Sequence, residues 1–328
     1  MGTLASPRRW PLGIPLRISL RTLMLLILVA GGGLGWYAIR RQREARFQRV
    51  IATIQASGSS VDFDGVGISR IVWFGGSANP ASLPQSPLTP EQVDALGSCD
   101  RLKELLMVSS VMIDEGLAEI ARDSLIERLY LFKPKITDAG VKHLAGLKSL
   151  KCLELLRVPE LTDASLAHLS SLTNLEEINL SRASINGSGL VHLARMERLG
   201  TLIIPGSAVD DAGMVNLGRL TGLRKLYIGG DYTDAGLTSL AGLSGLTELG
   251  IESSRCTDSG LAGLVGLTKL VALSVDGPQV TDAWLDRMAA LKSLRNVQIW
   301  NAQVSEEAIA RLHRALPDIQ IFVDGRPR

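Results

Sequence analysis

Three motifs that would announce an enzyme are missing from this chain of 328 residues. It has no Gly-x-Ser-x-Gly elbow, no phosphate-cradling Gly-Lys-Ser/Thr loop and no His-Glu-x-x-His zinc pair. Their absence removes the commonest routes to acyl transfer, nucleotide hydrolysis and zinc-assisted hydrolysis. Cysteine is scarce as well: Cys99, Cys152 and Cys256 are odd in number and lack paired spacing. No disulfide is required, and cysteine usage settles no compartment. A basic excess is missing from most of the chain. Residues 1–57 hold nine arginines and one acid, Glu44, for a net +8, which leaves 26 basic and 32 acidic residues, net −6, for the remainder. Nucleic-acid binding would place its charge on the folded domain, so this division argues against it.

What the chain has is a period. A Thr-Asp-like pair, a small residue and then leucines at fixed offsets recur ten times, with the second member of the pair at Pro90, Asp114, Asp138, Asp163, Gly187, Asp211, Asp234, Asp258, Asp282 and Glu306. The gaps are 24, 24, 25, 24, 24, 23, 24, 24 and 24 residues. Units this short cannot each bury a core alone; they stack, and such stacks commonly serve as binding surfaces. Counted from the marker, offsets 3, 6 and 9 are apolar, as in Leu237, Leu240 and Leu243, which keeps one side of a short helix apolar. Offsets 15 and 17, such as Leu249 and Ile251, alternate as strand residues do. Each unit is therefore one short strand and one short helix.

The run Leu223-x-x-Leu226-x-Ile228 and the openings Thr137-Asp138-Ala139-Gly140-Val141, Thr233-Asp234-Ala235-Gly236-Leu237 and Thr257-Asp258-Ser259-Gly260-Leu261 closely resemble the leucine-rich repeat. They are most similar to the variant of bacterial membrane-anchored repeat proteins whose helix opens with Thr-Asp-x-Gly-Leu. The resemblance covers nearly three quarters of the chain and implies an α/β solenoid, with a curved parallel sheet on the concave side and short helices on the convex side. One departure stands out. Where many such repeats carry asparagine, three residues after the last strand leucine, this chain has Ser110, Pro134, Ala183, Ser207 or Pro278, so the Thr-Asp pair is the candidate to satisfy that backbone.

Five segments follow. Residues 1–21 are a basic amino-terminal segment and 22–39 a transmembrane anchor. Residues 40–57 form a basic amphipathic stem helix, 58–88 an entry strand with a Pro/Gly/Ser-rich connection, and 89–328 the repeat domain. Thr22 to Ile39 is uncharged and bracketed by Arg21 and Arg40-Arg41, with Trp36 and Tyr37 at its end. Eighteen residues at ~1.5 Å each give ~27 Å, the short end of a bilayer span. A cleaved signal peptide is the rival; the run flows into arginines and offers no plausible mature start, which favours the anchor. Arginines on both flanks make the positive-inside rule nearly silent. Charge ahead of a first span leans towards a single-pass protein with external repeats. The skirt of residues 22–57 suits anionic lipid. In the entry region Ile68, Ile71 and Trp73 repeat the strand spacing, and Leu316 to Ile321 reads as a final strand before a polar tail.

Acids at the marker invite a calcium reading, but each sits beside Thr at a helix start, where Thr or Asp can accept an amide hydrogen bond and complement the dipole. His143, His168 and His192 share one convex offset, too far apart to converge on one metal ion. No cofactor, metal or catalytic residue is expected. The candidate surface is the set of strand residues alternating with the core leucines: Arg128, Tyr130, Phe132, Glu154, Glu177, Tyr227, Glu248, Glu252 and Trp300 above all. Along that face six acids oppose two bases, and its apolar and aromatic residues gather towards the first repeats. Exposed aromatics among mixed charge suit a protein or peptide partner. A second reading has Tyr130 and Phe132 packed under the entry segment as a cap. Cys152 lies on the same side and could be exposed. The expected function is a membrane-anchored, non-enzymatic protein-binding scaffold. The alternatives are an envelope protein that self-associates and a regulatory subunit of a partner enzyme.

Overall fold

The computed structural model describes residues 60–63, 68–73, 88–97, 99, 102–108, 112–122, 125–253 and 255–328, with four further positions at 48, 51, 52 and 55. The expected anchor at 22–39 and the basic segment before it lie outside the described residues, as do most of the stem and most of the connection after Trp73. Among the described residues no helix is long and apolar enough to cross a membrane.

The leucine pairs at offsets 15 and 17 set the architecture. Leu129 and Leu131, Leu153 and Leu155, Leu226 and Ile228, and Val297 and Ile299 are each about 1% exposed or less. The residues between and beside them point the other way, as the two-residue period of a strand requires. The strands run in chain order: β1 Ser60–Phe63, β2 Ile68–Trp73, β3 Glu104–Met107, β4 Arg128–Phe132, β5 Cys152–Leu156, β6 Glu177–Asn179, β7 Thr201–Val209, β8 Lys225–Gly230, β9 Glu248–Glu252, β10 Ala272–Asp276, β11 Asn296–Trp300, β12 Gln320–Val323 and β13 Arg326–Pro327. Among the described residues they form one thirteen-stranded sheet in that same order. From β2 to β12 every neighbour is parallel, and the register advances one repeat per strand: Leu226 lies abreast of Leu202 on one side and Leu249 on the other.

Each end carries an antiparallel turn-back, β1 on β2 and β13 on β12, so the edges of the stack are short strands of four and two residues, which blunts them for pairing with another chain. The final strand differs from its expected bounds. Leu316 and Ile319 are buried in the turn that follows the helix Glu306–Ala315, and the strand begins at Gln320. The tail is not free, because the Arg328 N–H donates to the Ile321 carbonyl and its guanidinium reaches Glu306 at 2.7 Å.

Opposite the sheet lie the short helices, each beginning at or beside a marker residue. Asp114–Ile120, Asp138–Leu144, Asp163–Leu169, Asp211–Leu217 and Asp282–Met288 are α-helical. Two repeats pass from an α turn into a 3₁₀ turn at Thr238–Gly242 and Ala262–Gly266. These stretches contain Gly242, Gly263 and Gly266, which are poor helix formers. The repeat marked by Gly187 is 3₁₀ throughout, Ser188–Arg195, and has no side-chain cap.

The Thr-Asp-x-Gly motif is one device. Each Thr caps its own helix, as Thr257 does by accepting from the Ser259 N–H at 3.1 Å. Each Asp accepts instead from the next repeat, one oxygen from the backbone N–H and the other from the hydroxyl of the following Thr or Ser. The pairs are Asp114 with Thr137, Asp138 with Thr162, Asp211 with Thr233, Asp234 with Thr257, Asp258 with Thr281 and Asp282 with Ser305. Asp163 does the same with three backbone N–H groups, of Asn186, Gly187 and Gly189. The glycine completes the fit, since a Cβ on Gly260 would lie 2.3 Å from the Asp234 carboxylate. A ladder of aspartates thus ties the start of each of these helices to the start of the next.

Breaking one rung leaves the Thr257 N–H without its acceptor, so Asp234→Ala should cost about 1–3 kcal/mol, read by chemical denaturation, with Asp234→Asn milder. The ladder also makes an acid-sensitive term. The Thr233 N–H, more than any other contact, holds Asp211 below the ordinary aspartate range, and the Ser305 hydroxyl does the same for Asp282. A depressed folded-state value stabilises above the unfolded value of about 3.9 and is lost as pH falls through the folded one. Stability should therefore decline below about pH 4, less steeply in Asp282→Asn; both groups are largely solvated, so the term is modest.

Candidate functional site

The register places the candidate residues of the open sheet face in rows. Arg128, Cys152 and Glu177 stand abreast on β4, β5 and β6, and Tyr130, Glu154 and Asn179 form the next row. Further along, Tyr227 stands abreast of Gly250, and Glu252 abreast of Asp276 and then Trp300. The nine sequence candidates thus fall into an amino-terminal group on β4–β6 and a carboxyl-terminal group on β8–β11.

In the first group two carboxylates and a thiol share the floor. Cys152 is 8% exposed, which corrects the expectation that it could be exposed: neighbouring side chains cover a small residue on this face. Burial, then Glu177 and Glu154, push its thiol up to about 12. Glu154 is raised by burial first and by Glu177 second, and the Asn179 amide opposes this from 3.4 Å. Cys152, Glu154 and Glu177 each place a ligand atom within 4.8 Å of the others, the one such group among the described residues. All three cysteines are buried. Alkylation at pH 8 should therefore modify none in the native domain and all three after denaturation, a count that mass spectrometry gives directly.

The described part of the entry segment adds strands at the sheet edge: Val72 stands abreast of Leu106, which stands abreast of Tyr130. Tyr130 is half-buried, and burial then Glu154 raise its hydroxyl. The cationic groups of Lys133 and Arg157 each lie 5.5 Å from the Phe132 ring centroid, a cation–π distance.

The second group is shaped by missing side chains. Gly250 has no Cβ, and the Tyr227 ring lies over it: a Cβ there would be 2.3 Å from the ring. Gly229 lets Glu252 reach across β8 to accept from the Gly206 N–H at 3.1 Å. Lys225 pairs with Glu248 at 2.7 Å. Between Tyr227 and Trp300 runs an open groove of about 240 Å³, bounded also by Pro205, Glu252, Ser274 and Asp276. It adjoins a wider one of about 690 Å³ lined by Asp231, Glu252, Asp276 and Asn301 among others. Trp300 is 37% exposed. An aromatic wall at each end and carboxylates between them can grip an extended chain by stacking and by hydrogen bonding to its amides or cations.

Two features of this face escape a reading of the sequence. The acidic lining joins Asp231, Glu252 and Asp276 from three different repeats, which single-repeat patterns do not show. The basic residues Lys133, Arg157 and Arg182 lie within three residues of the ends of their strands, at the one offset that glycine or asparagine takes in Gly206, Asn301 and Gly325. That shared offset is the available signal.

No protein-family model matches the chain, and no curated protein matches it. Solved structures do. An internalin (inlF) of Listeria monocytogenes is similar at 20% identity over 79% of this chain and 74% of that one, with a TM-score of 0.56. An internalin C2 of the same organism is similar at 24% identity over 71% and 92%, TM-score 0.49. A leucine-rich-repeat protein of Leptospira interrogans gives 16% identity over 70% and 62%, TM-score 0.47. The first likeness, together with the parallel sheet, shows the fold to be the leucine-rich-repeat solenoid.

Proposed function

We propose that this chain is a non-enzymatic scaffold, anchored in a membrane by residues 22–39, that presents the concave face of its repeats on the external side to a protein or peptide. The groove between Tyr227 and Trp300 carries the reading. Gly250 leaves room for the Tyr227 ring, the groove's walls are aromatic and its acids come from successive repeats, which suits an extended segment running across the strands. The uncharged run of residues 22–39 and its arginine flanks support the anchor.

Membrane attachment is tested by fractionation. Full-length protein should pellet with membranes, resist carbonate and dissolve in detergent; recovery of a mature protein that begins after residue 30 would contradict the anchor. Protease applied to intact cells should remove a carboxyl-terminal tag, and protection of the tag would place the repeats on the inner side.

A further inference from the structure

Lys133, Arg157 and Arg182 hold left-handed backbone, with φ of 51°, 60° and 62°. Side chains other than those of glycine, asparagine and aspartate rarely adopt this conformation, because the Cβ crowds the following carbonyl. The stack itself imposes the conformation. Each residue turns its N–H to the next strand, Lys133 to the Leu156 carbonyl, Arg157 to Ser181 and Arg182 to Pro205, at 2.8 to 2.9 Å. At the same offset Gly206 and Gly325 adopt φ of 64° and 75°, and Asn301 55°. Glycine satisfies the fold here with less strain. Three successive repeats nevertheless carry long cations, and Arg157 and Arg182 are exposed.

Nor do these cations serve ion pairs. Lys151, Lys225, Arg255 and Arg311 each reach a carboxylate, whereas Lys133, Lys135, Arg157 and Arg182 make no ion pair among the described residues. Two of them, Lys133 and Arg157, each place the cationic group 5.5 Å from the Phe132 ring centroid. They border a depression of about 430 Å³ with Pro134, Pro159 and Glu160, where the prolines stiffen the rim. Adjacent strands lie about 4.8 Å apart, so the first and third cations arise from backbone roughly 10 Å apart. That span matches a short acidic run, and it engages too few phosphates to hold a nucleic acid or a membrane surface.

We propose that this rim, built on β4 to β6 and the turns after them, is a docking site for an acidic peptide segment of a partner protein, one that offers two or three neighbouring carboxylates. The proposal deepens the reading of this face as protein-binding. It uses none of the groove residues between Tyr227 and Trp300, so either can fail while the other stands.

The test is fluorescence anisotropy with a labelled hexaglutamate peptide and the full-length protein in uncharged detergent, beside the triple variant Lys133→Gly, Arg157→Gly and Arg182→Gly. A triple asparagine variant, patterned on Asn301, guards against a folding defect. The arginines before residue 58 contribute equally to all three proteins, so the difference in Kd reports the rim. The expected result is at least a tenfold weaker Kd in both variants, a gap that narrows from 50 to 200 mM salt, and a melting temperature equal to or above that of the parent. Equal affinities, or a loss of binding only where the melting temperature also falls, would overturn the proposal. So would rim-dependent capture of anionic vesicles or rim-dependent dimerisation without a peptide effect, which would assign the cations to lipid or to a second copy.

Discussion

Leu226→Ala should destabilise the repeat domain by about 2–5 kcal/mol, through lost burial and the cavity left behind, while His192→Ala should stay within about 0.5 kcal/mol. Leu226 is 0% exposed, on β8 between Leu202 and Leu249; His192 lies exposed on the helical side. A stack transmits the loss to its neighbours, because each repeat completes the core of the next. Parallel denaturation curves give both values. Similar losses at the two positions would show that the strand register is not the one described.

Tyr227→Ala together with Trp300→Ala should weaken partner binding by about 2 kcal/mol or more, roughly thirtyfold, as expected for aromatic anchors at the centre of an interface. Trp300 is exposed enough that its loss should hardly move the melting temperature. Tyr227 is half-buried over Gly250 and should lower it modestly. Binding by titration calorimetry and melting by circular dichroism separate the two effects. Tyr130→Ala and Phe132→Ala complete the comparison: a larger loss there, with the fold intact, would place the centre of the site at the amino-terminal end of the face. A fall in melting temperature before any loss of binding would identify that pair as a cap.

The fold was legible because its signals are local and repeated. Leu129, Leu153 and Leu226 recur at one offset, and a repeated offset in a stack can only mean one row in the core. The strand faces followed from the two-residue alternation, so the candidate face was found without contacts. The ladder was half legible. Thr at the helix start pointed to capping, but that each Asp serves the following repeat depends on how repeats stack, which no single repeat displays. Tyr232 shows a similar limit. It is fully buried, with its hydroxyl on the Ile228 and Glu252 carbonyls, at the offset where neighbouring repeats carry Ile185, Val209 and Cys256. Side-chain cover was the least legible feature. Cys152 alternates outward like its neighbours, yet it is buried, with Arg128 and Glu177 abreast of it on the adjacent strands. The rim cations pass for ordinary surface charge in the sequence, because the cost of their backbone conformation shows only in φ.

The most direct test of the central claim is site-specific photo-crosslinking in the full-length protein, with the photoreactive residue placed in turn at Tyr227, at Trp300 and at His192. The account predicts that one discrete partner band forms from the two groove positions, is competed by excess wild-type protein and is absent from His192. Equal crosslinking from the helical side, or bands from His192 alone, would contradict the claim that the sheet face is where this protein meets its partner.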